Sequence, residues 1–398
     1  MLNFPVAYFN SNDGKSLLGF GENSSIILDK SKDIESLDKF ILTNSDKFIF
    51  TSISFDLKNR FENLNSNNKD DIEFPEAILF TTKYVVEIDG GNIIFIQGNE
   101  TIESKTFVDD FLKNENTNTN YSFNFNATTS KDNYLDKLQS LKKHISLGDI
   151  YEVNYCQEFI ADNVEIENEF NLYWKLNEIT KAPYSAFFNF ENHSIYCGSP
   201  ELYLSKRGDK LTSKPIKGTS KRDTDKVQDE KLKATLKNDP KERAENIMIV
   251  DLVRNDLSRI ALKNSVNVEE LCEIYSFETV HQMISTVSCT INEETSFTDI
   301  LKATFPMGSM TGVPKIRALE LIEEHEDFKR GIYSGTIGLI QPNGDFDLNV
   351  VIRSLVYNKQ NKTISCGVGG AITDLSIPEK EYEECFVKVK RILDAIND

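Results

Sequence analysis

The segment from Gly331 to Ile372 limits the possible folds of this chain more than any other stretch. It predicts a meander of three strands, and its first turn contains Asn343-Gly344, a dipeptide typical of tight β-hairpins. Strands joined by short turns run antiparallel. Apolar residues at helical spacing predict four helices elsewhere, at 132–147, 239–260, 311–325 and 378–396. Strands and helices in this order indicate an α+β fold with antiparallel sheets.

Charge and composition exclude several classes of function. The 398 residues carry a formal net charge of −18, and a field of that sign repels nucleic-acid backbones and anionic membranes. No apolar run approaches the roughly 18–20 residues of a membrane span, and the start of the chain does not resemble a secretory signal. We therefore expect no nucleic-acid partner and no membrane partner.

The cysteines indicate the compartment. All six are widely spaced, and none forms the Cys-x-x-Cys pair typical of zinc sites. Scattered thiols of this kind are typical of a reducing environment. We therefore expect reduced cysteines and a cytoplasmic location.

A polar stretch divides the sequence into two regions. Residues 114–130 are rich in Asn and Thr and are interpreted as an internal seam. The segment before it, 1–125, has few distinctive motifs, whereas the candidate chemical residues all fall within 130–395. We expect 1–125 to be an N-terminal part of the same sandwich and 130–395 to be the catalytic domain.

The last predicted helix carries a pair of carboxylates. Glu381, Glu384 and Lys388 are three and four residues apart, so they share one face of the helix. Two carboxylates one turn apart can chelate a hard cation such as Mg²⁺, although the same pattern also fits a solvated acidic face. Glu245, in the helix 239–260, is a further acidic candidate.

An arginine and a glycine-rich segment indicate possible anion binding. Arg353 lies within the otherwise apolar segment 346–357, where its guanidinium needs an anion from the protein or from a ligand. Gly369 and Gly370 follow shortly afterwards. Glycine allows backbone N–H groups to approach a carboxylate or phosphate closely, although a tight turn explains the pattern equally well.

Lys217 lies in a strongly basic segment, KPIKGTSKR (214–222). The phosphate-binding pattern GxxxxGK[ST] is absent from it. If Lys217 is partly buried, its pKa is lowered and its amine can act as a nucleophile. A solvated surface lysine is the alternative interpretation.

Many segments of this sequence resemble, in the same order, one known family. They include GDIYEVNYCQ (148–157), GSPELYL (198–204), KPIKGT (214–219), ENIMIVDLVRNDLSRI (245–260), FPMGSMTGVPKIRALELI (305–322), VVIRSLV (350–356), GVGGAIT (367–373) and PEKEYEE (378–384). The family is that of the chorismate-utilising enzymes, and within it the aminodeoxychorismate synthases. The resemblance covers roughly 130–395. It implies two antiparallel sheets packed together and flanked by helices, with the active site between them.

The resemblance also implies roles for individual residues. It assigns Mg²⁺ binding to three glutamates, Glu245, Glu381 and Glu384. It assigns catalysis to Lys217 and Glu201. It assigns substrate binding to Arg353, Tyr333, Gly369, Gly370, Lys388, His281, Thr219 and Thr311.

A few positions distinguish the reactions within the family. The aminodeoxychorismate synthases resemble this chain at PIKGT, where Lys217 occupies a position that is usually alanine in anthranilate synthases. Isochorismate synthases usually carry HPTxAxxG where this chain has FPMGSMTG (305–312), and a general-base lysine where it has Glu152. The resemblance therefore favours the aminodeoxychorismate reaction.

The implied reaction is a covalent, transaminase-class amination of chorismate, which supplies para-aminobenzoate and folate synthesis. Lys217 adds to ring carbon 2 while Glu201 protonates the leaving 4-hydroxyl, and ammonia then displaces the lysine by attack at carbon 4. We expect burial to raise the pKa of Glu201 and to lower that of Lys217. The ammonia comes from solution or from a glutamine amidotransferase subunit. The alternatives are an anthranilate synthase component I and a non-catalytic chorismate-binding subunit.

Overall fold

The computed structural model describes residues 4–29, 31–62, 64–116 and 121–397. Within these ranges the strands are β1 Val6–Asn10, β2 Lys15–Leu28, β3 Ile49–Ile53, β4 Ala77–Asp89, β5 Asn92–Gln97, β6 Asn126–Ala127, β7 Glu152–Ala161, β8 Tyr184–Phe190, β9 His193–Ser199, β10 Leu202–Arg207, β11 Lys210–Lys214, β12 Ile216–Lys221, β13 Asn267–Ser276, β14 Val280–Thr290, β15 Gly312–Val313, β16 Thr336–Ile340, β17 Phe346–Asn349, β18 Ser354–Asn358 and β19 Thr363–Ile372. The helices are α1 Glu35–Thr43, α2 Lys58–Phe61, α3 Ile102–Lys113, α4 Lys131–Leu147, α5 Glu169–Thr180, α6 Lys226–Asn238, α7 Pro240–Ser258, α8 Phe297–Thr304, α9 Lys315–His325 and α10 Pro378–Asn397.

The strands form two antiparallel sheets that are joined at one edge. The first sheet runs in the order β7, β19, β18, β9, β8, β1 and β2. The second runs in the order β4, β3, β16, β17, β10, β11 and β14. The long strands β2 and β4 pair along their length and connect the two. The α+β class with antiparallel sheets is confirmed.

Aromatic side chains fill the space between the two sheets. Phe80 on β4 packs against Phe188 on β8 with ring centroids 5.1 Å apart, and against Phe50 on β3 at 5.5 Å. Ile49, next to Phe50 in sequence, points to the opposite face and packs in a second buried cluster with residues of α7 and α8. Both faces of β3 are therefore apolar, since successive residues of a strand face opposite sides. Helices α4, α5 and α10 border the core of the first sheet.

The predicted helices are present, with one boundary changed. Helix α9 begins at Lys315 instead of Thr311, because Gly312 and Val313 form the short strand β15 that pairs with the start of β7. Ile316, in the first turn of this helix, is 45% exposed. Among the described residues, no helix has the length and apolar composition needed to cross a membrane.

The predicted C-terminal meander has four strands in place of three. The segment 346–357 does not form one strand, because it is interrupted between β17 and β18. Arg353 lies at this interruption with a positive φ of 52°, a conformation that is rare for residues other than glycine. The interruption removes Arg353 from the regular alternation of the strand.

Strands of the N-terminal region pair with strands far along the chain. Strand β1 pairs with β8, and β3 pairs with β16. Residues 117–120 of the predicted seam lie outside the described residues. The division into 1–125 and 130–395 stays a prediction.

Candidate active site

A polar cavity of about 490 Å³ lies where strands β7, β12, β14 and β19 meet helices α7 and α10. The structure places most of the predicted site residues on its lining. These are Lys217, Glu201, Arg353, Gly369, Gly370, Lys388, Thr219, Glu245, Glu381 and Glu384. Residues separated by up to 187 positions in sequence are thus brought to one cavity (Glu201 to Lys388).

Lys217 reaches the cavity from an irregular part of β12. The pairing of β12 with β14 shifts register between Ile216 and Thr219, and Gly218 has a φ of 88°, which favours glycine. An irregularity of this kind redirects a side chain from the regular strand alternation. The Lys217 side chain is only 13% exposed, so the solvated-surface interpretation is wrong.

The Lys217 ammonium is paired with a carboxylate. Its Nζ lies 3.1 Å from Oε1 of Glu152, whose side chain is 1% exposed. Burial lowers the pKa of Lys217, but the charges of Glu152, Glu245 and Glu201 outweigh it and raise the pKa above its ordinary value. The expected lowering is therefore wrong: attraction to carboxylates exceeds the effect of desolvation here.

The carboxyl group of Glu201 lies in an environment that favours its uncharged form. Glu201 follows Pro200 in the connection between β9 and β10, and it is 5% exposed. Burial raises its pKa to about 7, against the lowering effects of the nearby Ser309 hydroxyl and of the Lys217 and Arg353 charges. A carboxyl group with this pKa holds a proton for part of the time at neutral pH, as general acid catalysis requires.

Arg353 makes no ion pair and no side-chain hydrogen bond with any residue that the structure describes, and it lines the cavity. Burial lowers the pKa of its guanidinium, as does the neighbouring charge of Arg391. Arg353 is partly buried, and a cation withdrawn from water without an ion-pair partner is costly. Of the two sources of an anion left open by the sequence, the geometry favours a ligand.

The three predicted metal-binding glutamates all line the cavity. Oε1 of Glu245 is buried without a hydrogen-bond partner, and burial raises the pKa of this carboxyl to about 7. The Lys241 ammonium lies 3.7 Å from Glu245. Burial lowers the Lys241 pKa, but Glu245, Glu381, Glu242 and Glu384 together raise it. A cation is thus already stabilised among these carboxylates.

The carboxylates fit a divalent cation by chemistry and charge, since Mg²⁺ prefers oxygen ligands and typically uses only one or two protein carboxylates. They do not form a finished coordination shell. In the described ranges, no three His, Cys, Asp or Glu side chains are grouped closely enough to hold an ion. Glu384 instead pairs with Lys388 at 2.8 Å.

Three residues predicted to bind substrate lie off the cavity lining. His281 points to the other face of β14, where its ring nitrogens bond to Asp229 at 3.0 Å and Ser276 at 2.8 Å. Successive residues of a strand alternate in direction, so its neighbour Gln282 faces the cavity instead, with Oε1 buried and without a hydrogen-bond partner.

Tyr333 and Thr311 are the other two predicted substrate-binding residues that do not line the cavity. The Tyr333 ring packs under the backbone of β19 at Gly367, where a Cβ would lie 2.4 Å from the ring, and its hydroxyl donates to Cys156 Sγ at 3.7 Å. Thr311 is fully buried and donates to the carbonyls of Met307 and Gly308. The hydroxyl groups of both side chains are therefore occupied by hydrogen bonds within the protein.

Sequence reasoning missed several residues of the site. Asn154, Lys241, Glu242, Gln282 and Ser309 all line the cavity. Alternation along the strand 280–290 could have identified Gln282, and helical spacing from Glu245 could have identified Lys241 and Glu242. Glu152 was noted only as a difference between reactions, whereas its contact with Lys217 depends on two strands that are distant in sequence.

Comparison with known proteins identifies the family of this chain. The family described as chorismate binding enzyme matches residues 4–394, so the chain belongs to that family. It is 44% identical over 264 residues to a probable chloroplastic aminodeoxychorismate synthase of Oryza sativa subsp. japonica, covering 66% of this chain and 29% of that protein. It is 33% identical over 341 residues to aminodeoxychorismate synthase component 1 of Escherichia coli, covering 85% and 74%.

A solved structure extends the likeness to nearly the whole chain. Anthranilate synthase component I from Streptococcus pneumoniae superposes with a TM-score of 0.81 at 26% identity, covering 95% of this chain and 92% of that one. This chain spans less than a third of the length of the rice protein. The fold is thus shared by relatives whose names specify two different reactions.

Proposed function

We propose that this chain is an aminodeoxychorismate synthase component I, which converts chorismate and ammonia to 4-amino-4-deoxychorismate by a transaminase-class reaction. The observation that carries the proposal is a buried lysine, Lys217, in the same cavity as a carboxyl group, Glu201, whose pKa is near 7. The names of the rice and E. coli relatives support the same reaction.

Chorismate is a dianion, and the cavity offers cations to receive it. Arg353 supplies a guanidinium that has no protein partner among the described residues. Lys388, whose Nζ donates to the Gly369 carbonyl at 2.9 Å, supplies a second cation. The backbone at Gly369 and Gly370 lacks side chains, so a carboxylate can approach it closely. Thr219 adds a hydroxyl on the lining.

Glu245, Glu381 and Glu384 would hold Mg²⁺ in the working enzyme. This assignment is supported by Glu245 Oε1, which is buried without a hydrogen-bond partner, and by the Lys241 ammonium, which these carboxylates already stabilise. A bound Mg²⁺ would offset the charge of the substrate carboxylate inside a protein of net charge −18.

Lys217 and Glu201 carry the covalent chemistry. The Lys217 amine forms a bond to ring carbon 2, the ring double bonds shift, and the bond from carbon 4 to its hydroxyl breaks. Glu201 gives its proton to the departing oxygen, which leaves as water. Ammonia then bonds to carbon 4, the double bonds shift back, and the bond to Lys217 breaks. Two displacements divide one difficult step into two.

Ammonia would reach the cavity from solution or from a glutamine amidotransferase subunit, and the reaction would take place in the cytoplasm. The compartment is supported by the cysteines, since all six are free and buried. Such thiols are typical of a reducing environment.

Anthranilate synthase component I is the second candidate, because the solved structure that covers 95% of this chain carries that name. Lys217 and Glu152 argue against it, since a buried ion pair in the cavity has no evident use without a nucleophilic lysine. A non-catalytic chorismate-binding subunit is the third candidate, and it does not explain the raised pKa of Glu201.

The products decide among the three. Purified protein with chorismate, Mg²⁺ and ammonium is expected to yield para-aminobenzoate only when an aminodeoxychorismate lyase is added. Lys217→Ala is expected to abolish this yield. Lys217→Arg keeps a cation opposite Glu152 without a nucleophilic amine, and it should be equally inactive. Anthranilate as the product, no product from the wild type, or full activity in Lys217→Arg would contradict the proposal.

A further inference from the structure

The environment of Glu152 is unusual for a carboxylate. Glu152 opens β7 at a point where the backbone is fixed on both sides, by pairing with Val313 of β15 and, at Val153, with Ile372 of β19. Its side chain is 1% exposed. Oε1 contacts Lys217, and Oε2 is buried without any hydrogen-bond partner. One oxygen of a rigidly held carboxylate is therefore unused.

Lys217 needs a neighbouring group that can accept a proton from its ammonium. An ammonium has no lone pair, so Lys217 cannot attack a carbon until one proton has been transferred. Its pKa is raised by the surrounding carboxylates, so solvent at neutral pH removes that proton inefficiently. Within the described ranges, Glu152 is the one carboxylate within 4.0 Å of Lys217 Nζ. A proton acceptor must lie within hydrogen-bond reach of the group it deprotonates.

We infer that Glu152 is the base that activates Lys217, taking one proton from its ammonium before the lysine adds to the ring and returning it when the lysine leaves. This inference rests on the proposed function, because it supplies the proton step that the covalent reaction requires.

The proton balance is complete with residues of this chain. The proton moves from Lys217 Nζ to Glu152, and the freed lone pair forms the bond to carbon 2. The hydroxyl leaves as water with the Glu201 proton. After ammonia bonds to carbon 4, Lys217 departs as an amine and regains its proton from Glu152, while the new ammonium at carbon 4 returns one proton to Glu201. The sum is chorismate plus ammonia giving aminodeoxychorismate plus water.

An inert ion pair would have the same geometry, and pH dependence separates the two roles. A proton moved within the pair leaves the total proton count unchanged, so activation of Lys217 does not depend on pH. Without Glu152 the proton must go to solvent, and the active fraction rises about tenfold per pH unit below the lysine pKa. The other ionisable groups that interact with Lys217 are present in both proteins: Glu201, Glu242, Glu245 and Glu384.

The test compares Glu152→Gln with the wild type between about pH 5 and pH 6, where Glu201 remains largely protonated. The rate is para-aminobenzoate formation with excess lyase, with total ammonium adjusted so that the concentration of free ammonia is the same at every pH. We expect a nearly flat wild-type profile, and for Glu152→Gln a rate at pH 6 lowered by about 10²-fold or more that rises about tenfold per unit. Glu158→Gln is the matched control, since Glu158 is a buried carboxylate on the same strand that bonds to Ser365 outside the cavity. It should keep the wild-type profile.

A second measurement does not depend on product formation or on the folding of a variant. The rate at which a small amine-reactive electrophile modifies Lys217 is followed by mass spectrometry over the same pH range in the wild type. A flat rate supports transfer to Glu152, and a rate rising about tenfold per unit overturns it. In the first experiment, para-aminobenzoate formation by Glu152→Gln with the wild-type rate and pH profile also overturns it. If the wild type makes no aminodeoxychorismate, the proposed function fails, and the modification profile still decides the role of Glu152.

Discussion

Lys217 and Glu201 lie in one cavity but need opposite protonation states. The lysine must lose a proton before it attacks, whereas the carboxyl must carry one when the hydroxyl departs. Burial serves Glu201 directly because it disfavours the carboxylate. For Lys217 burial is outweighed by three carboxylates. The two groups therefore cannot be understood from burial alone, and the charges around each decide its state.

The pKa of Glu201 predicts the alkaline side of the pH profile. Its folded pKa of about 7 exceeds the ordinary 4.5, so the acid form is fully populated well below pH 7 and is lost as the pH rises through it. Activity should therefore fall above about pH 7, and Glu201→Gln should lower kcat by about 10²- to 10⁴-fold. Steady-state kinetics against pH, at a constant concentration of free ammonia, check this. A wild-type profile that stays level well above pH 7 would contradict it.

Arg353 predicts a separation between stability and binding. Arg353→Met should leave the free energy of unfolding unchanged or higher, because no protein ion pair is lost and a desolvated cation is removed. Chorismate affinity should fall by about 10- to 100-fold, the value of about 1.5–3 kcal/mol for a charged hydrogen bond. Urea unfolding and calorimetric binding measure the two quantities.

Arg330 is the matched control for that prediction. Its guanidinium pairs with Glu326 at 2.6 Å, and both side chains are 1% exposed. Arg330→Met leaves a buried carboxylate without its partner and should cost about 3–5 kcal/mol of stability. If Arg353→Met lost as much stability as Arg330→Met and kept its affinity for chorismate, Arg353 would be a structural residue.

At the scale of single elements, helix α7 connects the fold to the carboxylates of the site. Asp239 caps this helix by accepting from the backbone N–H groups of Lys241 and Glu242 at 2.9 Å and 3.1 Å. The first turns of α7 then carry Lys241, Glu242 and Glu245 into the cavity. The cap therefore fixes the position of Glu245 as well as the start of the helix.

Removing this cap should affect both stability and cation binding. Asp239→Ala should cost about 1 kcal/mol of stability and weaken Mg²⁺ binding, measured by titration calorimetry. Asp225 caps α6 in the same way, by accepting from Val227 and Gln228, but α6 contributes nothing to the cavity lining. Asp225→Ala should cost similar stability without changing Mg²⁺ affinity. Equal effects of both variants on Mg²⁺ would contradict the role of α7.

Some helices could be predicted from the sequence, whereas features that depend on tertiary contacts could not. Helical spacing of apolar residues predicted α4, α7 and α10 to within two residues, because local patterns determine such segments. The interruption at Arg353 was not predictable, because its positive φ depends on tertiary context. The family resemblance assigned His281 to the site, whereas the face of β14 that borders the cavity is decided by its pairing with β12. Ion pairs between distant strands, such as that of Glu152 with Lys217, leave no local pattern.

At the scale of the whole molecule, the first 125 residues are tied to the rest through the core. Trp174, the single tryptophan of the sequence, lies on α5 among aromatic residues of the N-terminal region. Its ring centroid is 5.5 Å from that of Tyr8 and 5.6 Å from that of Phe111, and its Nε1 donates to the Phe111 carbonyl at 3.3 Å. Its fluorescence therefore reports the contact between the two regions.

This packing predicts that both regions unfold together. Trp174 fluorescence and far-ultraviolet circular dichroism should give coincident urea transitions, since the sheets share the core around Phe80 and Phe188. Phe80→Ala should shift both transitions together and cost about 3–5 kcal/mol. Two separate transitions, with the fluorescence change preceding the loss of the remaining structure, would instead identify 1–125 and 130–395 as independent domains.

The covalent role of Lys217 is tested most directly by mass spectrometry of the protein mixed with chorismate and Mg²⁺ in the absence of ammonia. Without the second nucleophile, the adduct should accumulate. We expect an increase equal to the mass of chorismate less one water, located on the peptide that contains Lys217 and lost after ammonium is added. An unmodified Lys217 under conditions in which the same preparation forms aminodeoxychorismate with ammonium would contradict it.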